Sequence, residues 1–100
     1  MVELRGRIDS NSFRAFEMRL MDLLARGRSR LVLDMRDTVY VSSIGLRALL
    51  VVARAVVKAP GKLVLSNLSP EVHRVFSLAG FTDLFVIERS AEAAIISCGA

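Results

Sequence analysis

The sequence predicts an α/β fold with a mostly parallel central sheet and about four helices. Two short aliphatic runs, at 31–33 and 63–65, are typical of strands that are covered on both faces. Around these runs, apolar residues recur at the spacing of amphipathic helices. Since strands that alternate with helices are joined by right-handed crossovers, this order indicates parallel pairing. At 100 residues, we expect a single domain that covers 1–100.

The individual elements follow from the apolar pattern and from the residues that begin and end helices. Asp9, Ser10 and Asn11 offer cap chemistry for the first helix. Ser69 caps the third helix, with Pro70 at its first position, where a backbone N–H is not needed. The predicted elements, in chain order, are a strand at 4–8, a helix that includes 13–24, a strand at 31–33, an extended bridge at 39–41, a helix at 43–58, a strand at 63–65, a helix at 70–79, a strand at 85–87 and a helix at 91–97.

Composition limits the class of protein. Residues with hydrophobic side chains make up 53% of the chain, which is enough for a packed core. The longest apolar stretch, 44–57, is interrupted by two arginines and is shorter than the roughly 20 residues of a membrane span. No secretory signal is visible at the amino terminus. The only cysteine, Cys98, allows no internal disulfide and is expected in a loose carboxyl terminus. These features predict a cytoplasmic protein.

The charge pattern narrows the choice of partners only slightly. The formal net charge is +4, and three arginines, Arg26, Arg28 and Arg30, crowd around Gly27. A basic patch of this kind can bind nucleic acid, but a binder usually concentrates its charge on one face. We therefore favour a solvated turn at this position and expect no direct contact with nucleic acid.

The start of the second helix is the candidate functional site. In open α/β sheets, ligands and partners bind beyond the carboxyl ends of the strands, where helices begin. Ser43 stands at or next to the cap of this helix, and Gly45 falls within its first turn. Because a glycine inside a helix costs about 1 kcal/mol relative to alanine, its presence indicates either close approach of a partner or tight helix–sheet packing.

The body of the second helix is unusually apolar for a surface helix. Its charged residues, Arg47, Arg54 and Lys58, are separated by seven and four positions and form one narrow stripe. Apolar residues lie on both sides of that stripe, whereas a surface helix usually keeps half of its circumference polar. The helix therefore either lies deep in the molecule or exposes apolar shoulders, and we assign the shoulder next to Arg47 to partner binding.

These segments together resemble STAS domains, and within them the bacterial anti-sigma factor antagonists. The resemblance runs nearly end to end, and its most specific part is the segment that contains Ser43. Ser42 stands where the family often has Asp, and Ile44 stands where it has Ser or Thr. The amino terminus is short, so the family's first strand is expected to be clipped, absent or supplied by a neighbour. The matching segments are Gly6-Arg7-Ile8-Asp9, Leu33-Asp34, Tyr40-Val41-Ser42-Ser43-Ile44-Gly45-Leu46, and Asn67-Leu68-Ser69-Pro70 with Val72, Phe76 and Gly80.

The resemblance implies a phosphorylation-controlled binding protein that takes part in sigma factor regulation. By position, Ser43 corresponds to the serine that a partner, both anti-sigma factor and serine kinase, phosphorylates in such antagonists. The unphosphorylated antagonist holds the anti-sigma factor and frees a sigma factor, phosphorylation breaks the complex, and a phosphatase restores it. The resemblance implies no cofactor and no metal. The residues expected to contact the partner are Asp9, Ser42, Ile44, Gly45, Leu46 and Arg47.

Other function classes remain open at this level. A catalytic role is disfavoured, because His73 is expected to be solvated and no nucleophile–base pair or metal-ligand spacing is present. A STAS module can also be a scaffold in a stress-signalling assembly or an accessory subunit of a transporter. A phosphomimetic at Ser43 would separate the antagonist from the scaffold. A homodimer is possible in either case.

Overall fold

The structure, a computed structural model, describes residues 2–82 and 85–99, in which strands and helices alternate. The second helix begins and ends as predicted. The elements in chain order are β1 (Val2–Glu3), β2 (Gly6–Ile8), α1 (Phe13–Ala25), β3 (Arg30–Asp34), β4 (Thr38–Val41), α2 (Ser43–Lys58), β5 (Lys62–Ser66), α3 (Pro70–Leu78), β6 (Val86–Glu88) and α4 (Ala91–Cys98).

All strand pairs in the described residues are parallel, which confirms the predicted fold class. A four-stranded sheet has the order β1-β3-β5-β6, and β2 pairs with β4 in a second, two-stranded sheet. The two aliphatic runs of the sequence lie side by side, with Leu33 opposite Leu65. Each parallel neighbour is reached through a helix, as parallel pairing requires.

The predicted strand at 4–8 is confirmed only for Gly6–Ile8, because the chain passes from one sheet to the other at Leu4 and Arg5. Val2 and Glu3 pair with β3, whereas Gly6 begins the strand that pairs with β4. Gly6 takes a positive φ of 78°, a conformation that glycine adopts without steric cost. The Leu4 carbonyl, which lies at this break, accepts a hydrogen bond from the buried Thr38 hydroxyl at 2.8 Å. The segment at 39–41 is correspondingly part of a paired strand, β4.

The sheet is covered unequally on its two faces. Leu31, Leu33, Leu63 and Leu65 point to the main core, where residues of α1, α2 and α3 pack against them. The alternate positions of the same strands point the other way, where α4 is the helix that packs against them in a smaller cluster. That second cluster consists of Val32, Val64, Ala94 and Cys98.

Two helix ends differ from the predictions. The cap of α1 is Ser12, and the predicted cap residues form the turn before it, where the Asp9 carbonyl accepts the N–H groups of Ser12 and Phe13. Cys98, expected in a loose terminus, is buried in the last turn of α4 because it faces the sheet. The cap of α3 is as predicted, with Ser69 accepting from the Val72 N–H. Within residues 2–82 and 85–99, no helix has the length and apolar character needed to cross a membrane.

Candidate functional site

The first turn of α2 assigns different roles to its two adjacent serines. Ser42 is the cap residue, and its hydroxyl oxygen accepts a hydrogen bond from the Gly45 N–H at 3.1 Å. The Ser42 N–H donates to the Ile8 carbonyl at 2.9 Å, which ties the cap to the end of β2. Ser43 follows as the first helical residue and is exposed. The helix therefore uses the Ser42 hydroxyl for its cap and leaves the Ser43 hydroxyl at the surface.

Gly45 is explained by tight packing of α2 against β2. A Cβ atom at this position would overlap the backbone oxygen of Ile8 and lie 2.9 Å from its Cγ2 atom. Real Cβ atoms do not come this close, so any larger residue would push the helix away from the strand. Of the two interpretations of this glycine, the structure shows the second one, helix–strand contact.

The pairing of β2 with β4 brings Asp9 close to the start of α2. Ile8 lies opposite Val41, so the residues that follow each strand, Asp9 and Ser42, emerge at the same edge. The Asp9 carboxylate accepts the Asn11 backbone N–H at 3.0 Å and Arg7 Nε at 3.2 Å. The hydrogen bond from the Asn11 N–H, and to a smaller extent the one from Arg7, holds the pKa of the Asp9 carboxyl below its ordinary value. Asp9 therefore places a negative charge near the start of α2 at neutral pH.

Two residues near this edge were not predicted as site residues. Arg7 and Tyr40 are register partners on β2 and β4, and the Arg7 guanidinium lies 4.3 Å from the centre of the Tyr40 ring. A cation over an aromatic face is attracted by the ring quadrupole. Both residues stand in the motif segments, but their contact depends on the β2–β4 register. Sequence spacing alone does not reveal that register.

The predicted contact residues on α2 separate into exposed and buried members. Ile44, which is 43% exposed, and Arg47 lie at the surface with Ser43. Gly45 and Leu46 are buried, so they support the exposed residues from beneath. Asp9 and Ser42 are partly buried at the rim.

The rest of α2 is buried on one side and exposes apolar residues on the other, so both arrangements that its sequence allowed are present. One side of the helix is buried in the main core, including Leu49, Val52 and Val56. The other side exposes Val51 and Val57 next to the cationic stripe of Arg47, Arg54 and Lys58. The shoulder next to Arg47 is therefore continuous with the surface around Ser43.

The described residues offer little for metal binding. Within the two described ranges, 2–82 and 85–99, no three His, Cys, Asp or Glu residues are grouped so that they could hold a metal ion. His73 is exposed on α3, as expected.

Comparison with known proteins gives the family context of this site. The STAS domain family model matches residues 1–94. BtrV of Bordetella bronchiseptica, provisionally named an anti-sigma factor antagonist, is 38% identical over 91 residues, which cover 91% of this chain and 78% of that protein. The anti-sigma-B factor antagonist of Bacillus subtilis is 30% identical over 94 residues, covering 94% and 85% of the two chains.

Solved structures share the fold at lower sequence identity. A Thermotoga maritima protein, provisionally named an anti-sigma factor antagonist, superposes with a TM-score of 0.90 at 18% identity, covering 98% of this chain and 86% of that one. The anti-sigma factor antagonist SpoIIAA in its unphosphorylated form superposes with a TM-score of 0.71, also at 18% identity, covering 95% and 83%. Family model, sequence relatives and fold agree, and the chain belongs to the STAS-domain family of anti-sigma factor antagonists.

Proposed function

We propose that this protein is an anti-sigma factor antagonist whose binding surface is centred on Ser43. The observation that carries the proposal is the position of the Ser43 hydroxyl, which is exposed on the first residue of α2 and is not the cap of that helix. It lies next to the exposed side chain of Ile44 and one helical turn from Arg47. A mixed apolar and cationic surface of this kind suits a protein partner.

Phosphorylation of Ser43 would act on this surface electrostatically. A kinase would transfer the terminal phosphoryl group of ATP to Ser43 Oγ and release ADP, adding about −1.5 to −2 charges. The modified side chain would stand beside exposed Ile44 and near anionic Asp9. Desolvating such a group against an apolar partner surface is costly unless a cation meets it. We therefore expect the phosphorylated form to lose its partner.

Arg47 would contribute to both states of the switch. Ser43 and Arg47 are four residues apart on one helix, so their side chains lie on the same face. In the unmodified protein, the guanidinium is exposed and can pair with an acidic group of the partner. After phosphorylation, the phosphate on Ser43 would compete for the same guanidinium. Phosphorylation would thus add a charge to the interface and also withdraw a cation from it.

The proposed cycle requires two further proteins. The anti-sigma factor would also be the serine kinase, and a phosphatase would hydrolyse the phosphoserine and restore the hydroxyl. Release of a sigma factor by the bound antagonist places this cycle in the bacterial cytoplasm, where transcription takes place. In this cycle the chain acts as one STAS domain, 1–100, that binds and is modified and is not itself an enzyme.

An affinity capture with three baits tests the proposal. The baits are the wild type, Ser43→Ala and Ser43→Asp, exposed to lysate of the source organism, with captured proteins identified by mass spectrometry. We expect the first two to retain an ATPase of the serine kinase type and Ser43→Asp to lose it. Ser77→Asp is the matched control, because Ser77 is also an exposed helical serine but lies on α3.

The same experiment separates the antagonist from the alternative functions. If all baits retain the same transporter subunit or signalling scaffold, Ser43 is not a switch and the scaffold function replaces the one proposed. If Ser77→Asp also loses the kinase, the effect comes from added charge in general and not from the Ser43 surface. Titration calorimetry with the purified kinase then gives the loss of affinity, for which we expect at least about tenfold.

A further inference from the structure

Helix α4 has the composition of a buried helix but is buried on one side only. Glu92 is the only charged residue among its eight, and a helix that is apolar all round is usually enclosed. Ala94 and Cys98 face the sheet, whereas Ile96 is 80% exposed and Ile95 is 42% exposed. Two isoleucines therefore lie in contact with solvent on a helix with almost no polar face.

A neighbouring strand extends this apolar surface. Val86 on β6 is the register partner of Val64, and Val64 is buried beneath α4. Side chains at paired positions point to the same face of a sheet, so Val86 lies on the α4 side and is partly exposed. Val86, Ile95 and Ile96 define what we call the α4 face.

The charges at the two ends of the α4 face have opposite signs. Glu92 lies three and four residues before Ile95 and Ile96, which puts all three on one side of the helix. At the other end, Arg30 Nη1 donates to the Gly99 carbonyl at 2.6 Å, and Lys62 Nζ donates to the Ser97 carbonyl. Both cations are exposed and occupy paired positions on β3 and β5. The face thus runs from an acid through two isoleucines to a pair of bases.

We propose that the α4 face binds a second copy of this chain about a two-fold axis. In an antiparallel arrangement of two α4 helices, Ile95 and Ile96 of the two copies would meet at the centre. Glu92 of each copy would then face Lys62 and Arg30 of the other. A surface that is complementary to itself after a half-turn is what a two-fold dimer requires.

The size of the face predicts weak association. Stable interfaces bury about 800 Å² per partner, and three exposed aliphatic side chains with flanking charges lie well below that area. We therefore expect a dimer that is populated only at high protein concentration. Because α4 lies on the opposite side of the sheet from α2, this dimer would leave Ser43 accessible in both copies. The inference does not depend on the proposed function.

Analytical ultracentrifugation of the full chain tests the proposal. The protein concentration should run from about 10 μM to about 1 mM, because an interface of this size is expected to be weak. We expect the weight-average mass to rise towards twice that of the monomer. Ile96→Glu should raise the dimer dissociation constant at least about tenfold, because an acidic group would replace the central apolar contact. Leu78→Glu is the matched control, since Leu78 is 82% exposed on α3. The dimer dissociation constant of this variant should equal that of the wild type.

A charge exchange tests the arrangement of the two copies. Glu92→Lys and Lys62→Glu should each weaken self-association, since each homodimer then contains two like-charged pairs. Mixing the two variants should restore dimers, because one pair in the mixed dimer is native and the other is reversed. Lys62 and Arg30 both donate to carbonyls at the end of α4, so circular dichroism must first show that the variant used in the mixture, Lys62→Glu or in its place Arg30→Glu, is folded.

Either of two results would overturn the inference. If the wild type stays monomeric at every concentration, the α4 face does not bind a second copy of the chain. A dimer that Ile96→Glu does not weaken, or that Leu78→Glu weakens equally, lies elsewhere on the surface.

Discussion

At the start of α2, the adjacent residues Ser42 and Ser43 have the same side chain but different structural roles. Ser42 satisfies a free backbone N–H of the first turn, whereas Ser43 is exposed. Replacing a serine cap by alanine costs about 1 kcal/mol. We predict that Ser42→Ala lowers the free energy of unfolding by about this amount and the melting temperature by roughly 4–8 °C. Urea and thermal denaturation followed by circular dichroism measure both quantities.

Ser43→Ala is the matched control for this prediction. It removes a hydroxyl one residue away without touching the cap, so its free energy of unfolding should stay within about 0.5 kcal/mol of wild type. Equal destabilisation by the two variants would show that the cap role is shared. Ser43 would then be unable to serve as a modification site that leaves the fold intact.

At the scale of elements, the close approach of α2 to β2 depends on Gly45, which has no side chain. Alanine is about 1 kcal/mol better than glycine inside a helix, so propensity alone predicts that Gly45→Ala stabilises the protein. The structure predicts the opposite sign, because the added Cβ would meet the backbone oxygen of Ile8. Backbone cannot rotate away as a flexible side chain can, and overpacking costs typically 1–3 kcal/mol.

We therefore predict that Gly45→Ala is destabilising by up to about 2 kcal/mol in urea unfolding, which is the packing cost less the gain of about 1 kcal/mol in helix propensity. The shift of α2 should also disturb the Ser42–Ile8 hydrogen bond, so amide exchange at Ser42 should become faster. A variant that is more stable than wild type would show that α2 does not approach β2 this closely.

For the whole molecule, the proposed modification should change binding and leave the shape unchanged. A phosphate on Ser43 lies near the amino terminus of α2, where the helix dipole favours negative charge by about 0.3–1 kcal/mol. Repulsion from Asp9 acts in the opposite direction. We predict that the chain carrying phosphoserine at position 43, made by genetic code expansion, has a free energy of unfolding within about 1 kcal/mol of that of the wild type.

Amide NMR spectra of the modified and unmodified chains measure the extent of the change. Shifts should be confined to the first turns of α2 and the neighbouring ends of β2 and β4. Shifts that reach α4, on the other face of the sheet, would indicate a global conformational change and would contradict a switch that acts at the surface alone.

Much of the fold could be predicted because its signals are local. The aliphatic runs of β3 and β5, the bounds of α2 and the Ser69–Pro70 start of α3 depend on residues within a few positions of one another. Apolar spacing and cap chemistry act over that same short range. The candidate switch segment was also visible, since its unusual glycine and its serines stand together in the chain.

Other features required contacts between residues that are distant in the sequence. The amino acid sequence by itself determined the α/β class, the order of most elements and the motif that contains Ser43. Only the tertiary structure decided that residues 2–8 form two strands in different sheets, that Arg7 stacks on Tyr40, and that Cys98 is buried while Ile96 is exposed. The physical reason is that strand register and the choice of buried helix face are set by whichever elements pack together, and local propensity does not encode that choice.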